Sequence, residues 1–401
     1  MKLIDKNEIL IEQPKLGAAF YVWSLIIMMT VQWMSLDLYL PALPVLKEEF
    51  AVSEALLNFS FNSDLLLCAV GTFIGGTLSD KYGRNSIMIT GLASAAVMFF
   101  ASAFAKGVIF LTVTRGLMGL GSGFALAVST AMISDSFTGS TFQRITSFTQ
   151  AGAIIGPIFA PAIGAFLIEA FSWRAIFIFG GVTTLLTLIP FLFALETWPK
   201  EKRHLDNVWE ATVQSFNILK DAKYLAFAAA ILLITIPMWA YLSTCSYVYY
   251  DDFGVSNIEY SVLYACGTVV SMAAPFIYIF LSGKMKAGNI VRLTMIFIAS
   301  AAALFAVIGE RGPVFYLLAM VPVYLAEGIV RPLSTVVVLE KYHEEAGSAS
   351  AVHGFALMII GVVGSAFATL QWNSFVFGLA VITASCCILA ALLWVKGKKF
   401  I

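Results

Sequence analysis

The chain alternates between long apolar runs and short polar breaks over nearly its whole length. A helix needs about 20 mostly apolar residues to cross the hydrocarbon core of a bilayer, and twelve runs reach that length. The predicted spans are residues 17–42, 54–79, 86–105, 108–133, 143–168, 173–195, 223–249, 258–282, 288–309, 313–338, 346–371 and 373–395. The runs are too long and too uniformly apolar for the strands of a barrel. The pattern therefore predicts an all-α integral membrane protein with twelve transmembrane helices.

Composition agrees with this class. Hydrophobic residues make up 60% of the chain and charged residues 12%, whereas soluble domains are about half apolar and a quarter charged. The formal net charge is zero, so the charge balance gives no indication of a nucleic-acid partner. His204, His343 and His353 have no metal-ligand spacing. The five cysteines all fall in apolar stretches and are interpreted as small core residues. We expect no metal site and no disulfide framework.

Lysines and arginines are unevenly distributed among the connections. With both termini placed inside, twelve lie in the even-numbered connections and six in the tails, against four outside. The positive-inside rule then places both termini in the cytoplasm. The first sixteen residues mix lysines with acids and are not followed by a cleavage site, which predicts a cytoplasmic tail rather than a signal peptide. We expect a multi-pass protein of the plasma membrane, the inner membrane of a bacterium.

One connection, residues 196–222, is longer and more charged than the others and divides the spans six and six. A weak internal repeat at an offset of about 204 residues relates the two halves. We therefore predict an N-terminal six-helix bundle over 1–195, a cytoplasmic linker over 196–222, and a C-terminal six-helix bundle over 223–401. Two repeated bundles with a site at their interface are what alternating access requires, because one half can rock against the other.

A glycine-rich polar segment, Gly76-Thr-Leu-Ser-Asp80-Lys-Tyr-Gly83-Arg84, lies between spans two and three. Gly83 allows a tight turn with positive φ. Asp80 and Arg84 can pair with each other or with helix ends at the cytoplasmic face. A basic loop that only sets the topology is the structural alternative.

Three further patterns lie within the spans. They are Asp37-Leu-Tyr39-Leu-Pro41-Ala-Leu-Pro44 in span one, Arg115-Gly-Leu-Met-Gly119-Leu-Gly121-Ser-Gly123 in span four, and the small residues and prolines Gly152, Gly156, Pro157, Pro161 and Gly164 in span five. Glycines in a membrane helix let a neighbouring helix approach closely. Small residues combined with prolines predict a close-packed helix that can bend as a hinge.

Together these motifs resemble the major facilitator superfamily, and within it the drug:proton antiporters of the Bcr/CflA kind, over nearly the whole chain. The resemblance implies two pseudo-symmetric six-helix bundles. In that family the loop after span two latches the outward-facing state, and Asp135 lies where the family places another acid of the latch. The implied latch residues are Gly76, Asp80, Gly83, Arg84 and Asp135. The span-five motif is associated with antiporters and implies a helix hinge, although Ala165 replaces one glycine of the family pattern.

Three ionisable residues inside spans are candidates for proton coupling and substrate binding, since a charge in the membrane is costly unless it is paired or hydrated. Asp37 and Asp64 are nearly equidistant from the turn between spans one and two, and Arg115 lies about 10 Å into span four from the same side. One arginine can neutralise one carboxylate at a time, which leaves the other acid placed to bind a proton. We hypothesise that Asp37 carries the coupling proton and that Arg115 tunes it. The alternative for Asp37 is a hydrogen-bonded residue at a helix end broken by proline. Asp64 has no support from the motif.

A possible substrate cavity includes charged and aromatic residues of both halves, namely Tyr39, Glu327, Arg331, Trp239 and Tyr241. Glu327 and Arg331 are four residues apart in span ten, in the order that favours an intrahelical ion pair. A self-neutralised structural pair and a second charged part of the cavity both remain open. Trp239 and Tyr241 lie near the outer end of span seven, where an aromatic belt at the membrane interface is the alternative.

The predicted function is secondary active transport: proton-coupled efflux of small lipophilic, cationic drug-like molecules. The alternative is a proton-coupled importer or exporter of a specific metabolite. The three scattered histidines supply no nucleophile and base for an enzyme, and the chain has no phosphate-binding Gly-x-x-x-x-Gly-Lys-Ser/Thr motif. We expect no cofactor. The expected partners are the substrate, protons and the lipid bilayer, with the protein acting as a monomer.

Overall fold

The computed structural model describes residues 4–203, 219–342 and 346–400, and these are nearly all helical. Residues 204–218 of the expected linker lie outside the described residues. The described residues form thirteen α-helices: α1 (Ala18–Asp37), α2 (Ala42–Phe50), α3 (Glu54–Tyr82), α4 (Arg84–Ala103), α5 (Val108–Ser136), α6 (Gly139–Ala170), α7 (Trp173–Leu188), α8 (Ala222–Tyr247), α9 (Asn257–Ser282), α10 (Ala287–Ile308), α11 (Pro313–Lys341), α12 (Ala346–Ala368) and α13 (Phe375–Gly397).

Apart from the short helix α2, one helix occupies each of the twelve predicted spans, in the predicted order. Among the described residues, ten helices are long and apolar enough to cross a membrane, by length and composition. Two shorter apolar segments, Ile155–Ala170 in α6 and Val352–Ala368 in α12, occupy the positions of spans five and eleven. The predicted all-α membrane fold is confirmed.

The first span ends earlier than its hydropathy predicts. The predicted span reaches residue 42, but α1 ends at Asp37 and the short helix α2 begins at Ala42. Pro41 has no amide hydrogen to donate to the Asp37 carbonyl, so a continuous helix would lack that hydrogen bond. The Leu40 amide donates to that carbonyl instead, at 3.1 Å, and closes a turn. α1 therefore stops one turn before the proline of the motif.

The chain divides into two compact units over its described residues. The first comprises Met1–Ala42 with Ser63–Thr212, and the second comprises Leu43–Asn62 with Val213–Ile401. The sequence-based boundaries, 1–195 and 223–401, stay a prediction. Within the first unit α1 packs on α6, and α4 packs on both α5 and α7. Within the second, α8 packs on α12, and α10 packs on both α11 and α13. Counted as spans, these are the same pairings, which is the internal similarity expected of a repeated bundle.

A buried apolar cluster forms the core of the first unit. It draws on α1, α4, α5 and the segment after α7, with Tyr21, Leu25, Met88, Val128 and Phe191 fully buried. Buried apolar area of this kind does not drive helix association in lipid, so close packing and polar contacts position the helices. The N-terminal segment adds such contacts.

The N-terminal segment is bonded to the first unit. The Glu8 carboxylate accepts a hydrogen bond from the Thr141 amide at 2.7 Å, in the first turn of α6. The Gln13 side chain accepts from the Leu195 amide at 2.7 Å and donates to the Leu195 carbonyl at 3.3 Å. An acid at a helix N-terminus is stabilising because it satisfies free amides. These bonds join the start of the chain to α6 and to the end of the sixth span.

In the second unit, Asp221 caps α8. Its carboxylate accepts hydrogen bonds from the Lys223 amide at 2.8 Å and from the Tyr342 hydroxyl at 3.0 Å. Burial acts to raise the pKa of Asp221, but these hydrogen bonds outweigh it and hold the pKa below its usual value. The cap ties the start of α8 to the residue that follows α11.

Candidate functional site

A buried ion pair links α3 and α5 in the first unit. The Arg115 guanidinium is fully buried, and its Nη2 lies 2.8 Å from Oδ2 of Asp64, which is 5% exposed. The guanidinium also lies over the Tyr39 ring, 3.8 Å from its centroid. A buried arginine is tolerated in a membrane protein when a carboxylate and an aromatic face compensate its charge. Asp64 and Tyr39 supply both.

Glycines in α5 allow this contact. A Cβ atom at Gly119 would overlap the backbone carbonyl and the carboxylate of Asp64. A Cβ atom at Gly116 would approach the Leu67 side chain to 2.9 Å. The glycines that follow Arg115 therefore let α3 approach closely, as the motif predicts. Asp64 reaches Arg115 because α5 has no side chains at these positions.

Asp37 and Tyr39 lie at the break after α1. Asp37 is the last residue of that helix and is 7% exposed, and Tyr39 is fully buried in the following turn. Counting residues from the hairpin predicts that Asp37, Asp64 and Arg115 share one depth of the membrane. The structure brings Asp64, Arg115 and Tyr39 into direct contact and places Asp37 two residues before Tyr39. The proton-carrying role of Asp37 stays a prediction.

The glycine and proline motif of span five faces α1. A Cβ atom at Gly152 would meet the Thr30 hydroxyl, and one at Gly156 would lie 2.5 Å from the Thr30 carbonyl oxygen. A Cβ atom at Gly164 would lie 2.6 Å from the Leu38 carbonyl oxygen. α6 therefore packs on α1 through backbone-to-backbone contact along much of its length. Pro157 and Pro161 lie inside α6 without ending it. The hinge function of this helix stays a prediction.

Three of the predicted latch residues, Asp80, Arg84 and Asp135, form one network at the loop between α3 and α4. Gly83 has φ +100°, the left-handed conformation that the sharp turn requires. Arg84 Nη1 lies 2.6 Å from the Asp80 carboxylate, and Arg84 Nε lies 3.1 Å from the Asp135 carboxylate at the end of α5. Gly76 lies on α3, where no described atom is within 4 Å of an added Cβ. Arg84 therefore joins the loop to α5.

Two residues of this network, Glu196 and Trp198, were assigned only to the linker by sequence. The Glu196 carboxylate accepts a hydrogen bond from the Arg84 amide at 2.8 Å, at the N-terminus of α4. The Trp198 ring lies 4.8 Å from the Arg84 guanidinium carbon. The acidic and aromatic residues after span six were the available signal, but hydropathy alone could not show that the chain turns back here.

In the second unit, Glu327 and Arg331 form the ion pair that their spacing predicts. Arg331 Nη1 lies 3.1 Å from Glu327 Oε1, and the Arg331 side chain is 42% exposed while that of Glu327 is buried. Tyr241 is fully buried, with its ring centroid 5.6 Å from that of Tyr316. Trp239 is also buried. Both aromatic residues thus pack inside the unit, and their place in a substrate cavity stays a prediction.

Comparison with known proteins confirms the resemblance to the major facilitator superfamily. A model of the Major Facilitator Superfamily matches residues 25–365. The chain is 27% identical to an uncharacterized MFS-type transporter, YdgK, of Bacillus subtilis, over 83% of this chain and 84% of that one. It is 26% identical to the multidrug resistance protein MdtL of a Shewanella species, over 80% and 81%. It is 25% identical to the multidrug transporter MdfA of Edwardsiella piscicida, over 64% and 63%.

Solved structures with the same fold are more distant in sequence. A D-xylose–proton symporter superposes with a TM-score of 0.73 at 19% identity, over 93% of this chain and 97% of the symporter. A peptide transporter superposes with a TM-score of 0.76 at 14% identity, over 97% and 99%. At these identities the likeness shows the fold alone.

Proposed function

The chain belongs to the major facilitator superfamily, and we propose that this transporter exports small lipophilic cations in exchange for protons, as a drug:proton antiporter of the Bcr/CflA type. It is a multi-pass membrane transporter rather than an enzyme. The proposal concerns the cargo, the coupling ion and the direction of transport.

The observation that carries the proposal is the Asp64–Arg115 ion pair, buried beside Tyr39 in the same unit as Asp37. Two carboxylates and one guanidinium in membrane helices leave one acid in excess. Burial disfavours an uncompensated charge, so the acid that Arg115 does not neutralise binds a proton or a cation. A proton and a cationic drug then compete for the same negative charge. Reciprocal linkage makes their binding antagonistic, which is the thermodynamic requirement of antiport.

Each site residue has a role in this proposal. Asp37 carries the coupling proton, and Arg115 tunes it by exchanging between the two acids. Asp64 is the acid that holds Arg115 while Asp37 is protonated, and Tyr39 stabilises the guanidinium in both pairings. The Arg84 network is the cytoplasmic latch and α6 the hinge. In the second unit, the substrate cavity includes Tyr241, Trp239 and the Glu327–Arg331 pair.

Drug-like cargo is supported by the relatives. Two of them are called multidrug resistance or multidrug transporter proteins, and their similarity covers about two thirds or more of this chain. We extend that cargo class to this chain. The excess of lysine and arginine in the tails and even-numbered connections supports cytoplasmic termini and the inner membrane of a bacterium. We propose that the working form is a monomer.

Inverted membrane vesicles test the proposal. They are acidified inside by respiration and contain a pH-sensitive dye, and lipophilic cations such as tetraphenylphosphonium and ethidium are then added outside. We expect substrate-triggered proton release with the wild-type protein and none with Asp37→Asn. Asp251→Asn is the matched control, because it makes the same chemical change at a half-exposed carboxylate outside the site. It should retain proton release.

Two contrary results would change the proposal. Proton release that persists in Asp37→Asn would reject Asp37 as the proton carrier. No release with any cation, although the protein is present in the membrane, would favour the transport of a specific metabolite.

A further inference from the structure

The second unit contains a line of polar side chains that the proposed coupling does not use. Glu327, Arg331 and Ser334 lie on one stripe of α11, because residues separated by four and three positions fall on the same face of a helix. His353 of α12 extends this line, since its Nε2 lies 2.9 Å from the Ser334 hydroxyl oxygen. Ser334 and His353 are each seven residues from the nearer end of their helix, or about 10 Å inward. His353 also falls in the apolar segment Val352–Ala368 of α12.

The hydrogen bonds of Ser334 favour one tautomer of His353. A serine hydroxyl has a single hydrogen. The Ser334 hydroxyl donates that hydrogen to the Arg331 carbonyl oxygen, at 2.8 Å. Ser334 can then only accept from the imidazole, so Nε2 carries the hydrogen and donates it. The neutral ring has one hydrogen, which leaves Nδ1 with its lone pair.

The Nδ1 atom is buried. His353 is 2% exposed, and Nδ1 has no hydrogen-bond partner among the described residues. An unsatisfied buried acceptor is energetically unfavourable. A histidine retained only for packing would be expected to satisfy both nitrogens. The lone pair is instead available to accept a proton.

The charged groups around His353 are few. α12 packs against α8, α11 and α13, and His353 is its only titratable residue. α8 has no titratable side chain from Leu225 to Ala240. α13 contributes two cysteines in its middle and a lysine at its last turn, and α11 contributes Glu327 and Arg331, followed by Glu340 and Lys341 at its end. Glu327 and Arg331 neutralise each other, so this cluster has no net charge until His353 is protonated.

We propose that Nδ1 of His353 is a second proton-binding site, positioned by Ser334 and electrostatically coupled to the Glu327–Arg331 pair. Binding one proton changes the charge of this cluster from zero to +1. Arg331 opposes that charge and Glu327 favours it, so the ion pair sets how readily the proton binds. The inference rests on the proposed antiport for its physiological use: a proton held here repels a cationic substrate in the second unit, whereas a proton on Asp37 removes the negative charge that attracts that substrate in the first.

Nitrogen NMR of the full-length protein in lipid nanodiscs, labelled with ¹⁵N-histidine, tests the site directly. The chain has only three histidines, so His353→Gln identifies the signal. At pH 8 we expect the tautomer protonated at Nε2. On acidification toward pH 4 we expect proton uptake at Nδ1. Arg331→Gln should move the midpoint up by about one pH unit, and Glu327→Gln should move it down, because each removes one neighbouring charge.

Two results would overturn the inference. One is the tautomer protonated at Nδ1 at pH 8, which is measured on the wild-type protein and does not depend on any variant folding. The other is a His353 signal that stays neutral down to pH 4 in both the wild type and Arg331→Gln. The NMR experiment requires no transport. If His353 titrates but no substrate triggers proton release, the proposed antiport is rejected and this proton-binding site stands. If a substrate triggers proton release but His353 does not titrate, the antiport stands and this site is rejected.

Discussion

Replacing Asp37 and Asp64 by asparagine, singly and together, tests whether Arg115 can form an ion pair with either acid. The guanidinium is fully buried, and leaving a buried charge without its partner destabilises a protein by about 3–5 kcal/mol. If Arg115 exchanges between the acids, either single variant leaves it one carboxylate. Each single change should then cost less than about half of that amount, and the double variant should show the full loss. The double change would exceed the sum of the single changes by about 1–3 kcal/mol.

Tryptophan fluorescence of the purified protein in nanodiscs gives the apparent melting temperature. At roughly 2–4 °C per kcal/mol, the double variant should melt on the order of 10 °C below the wild type. Asp80→Asn is the matched control, because the Asp80 side chain is 43% exposed and Arg84 keeps Asp135 as a partner. An exposed pair contributes about 1 kcal/mol or less. A full loss in Asp64→Asn with no effect of Asp37→Asn would refute the exchange of Arg115 between two acids.

Three further stability predictions use the same melting assay. Arg84→Ala leaves the Asp135 carboxylate without its guanidinium partner and should cost about 1–3 kcal/mol; an unchanged melting temperature would mean that the latch contacts contribute nothing to stability. Gly156→Ala places a methyl group against the Thr30 carbonyl and should cost about 1–3 kcal/mol, whereas Gly76→Ala has open space and should keep or raise stability; equal effects would contradict the close α1–α6 contact. Asp221→Ala removes the α8 cap and should cost about 1 kcal/mol. Because the pKa of Asp221 is lowered in the fold, its contribution is present above about pH 4 and is lost as the pH falls, so the difference from the wild type should shrink in acid.

The transmembrane helices were largely predictable, because hydropathy reports directly on length and apolar composition. The break after Asp37 was less so. Pro41 is present in the sequence, but the apolar run continues past Asp37, so hydropathy does not predict the turn there. Counting from the hairpin placed Asp64 and Arg115 at one depth. Their direct pairing also depends on the glycines of α5. Tertiary packing decides which helix lies against those glycines, and the sequence does not show it.

The contacts that the sequence did not predict join segments far apart in the chain. Glu196 and Trp198 follow span six, yet they contact Arg84 at the start of α4. His353 meets Ser334 only because α11 and α12 pack together. Periodicity assigns a residue to a face of its own helix, and it carries no information about which neighbouring helix covers that face. The sequence around a lone histidine or a polar linker residue therefore does not indicate which residue it contacts.

Proton movement driven by a substrate gradient, in liposomes that contain only the purified protein and an internal pH dye, tests the central claim most directly. With equal pH on both sides, an inward gradient of tetraphenylphosphonium should make the interior alkaline as protons leave in exchange, and Asp37→Asn should abolish that change. Entry of the cation without any proton movement in the wild-type protein would contradict antiport.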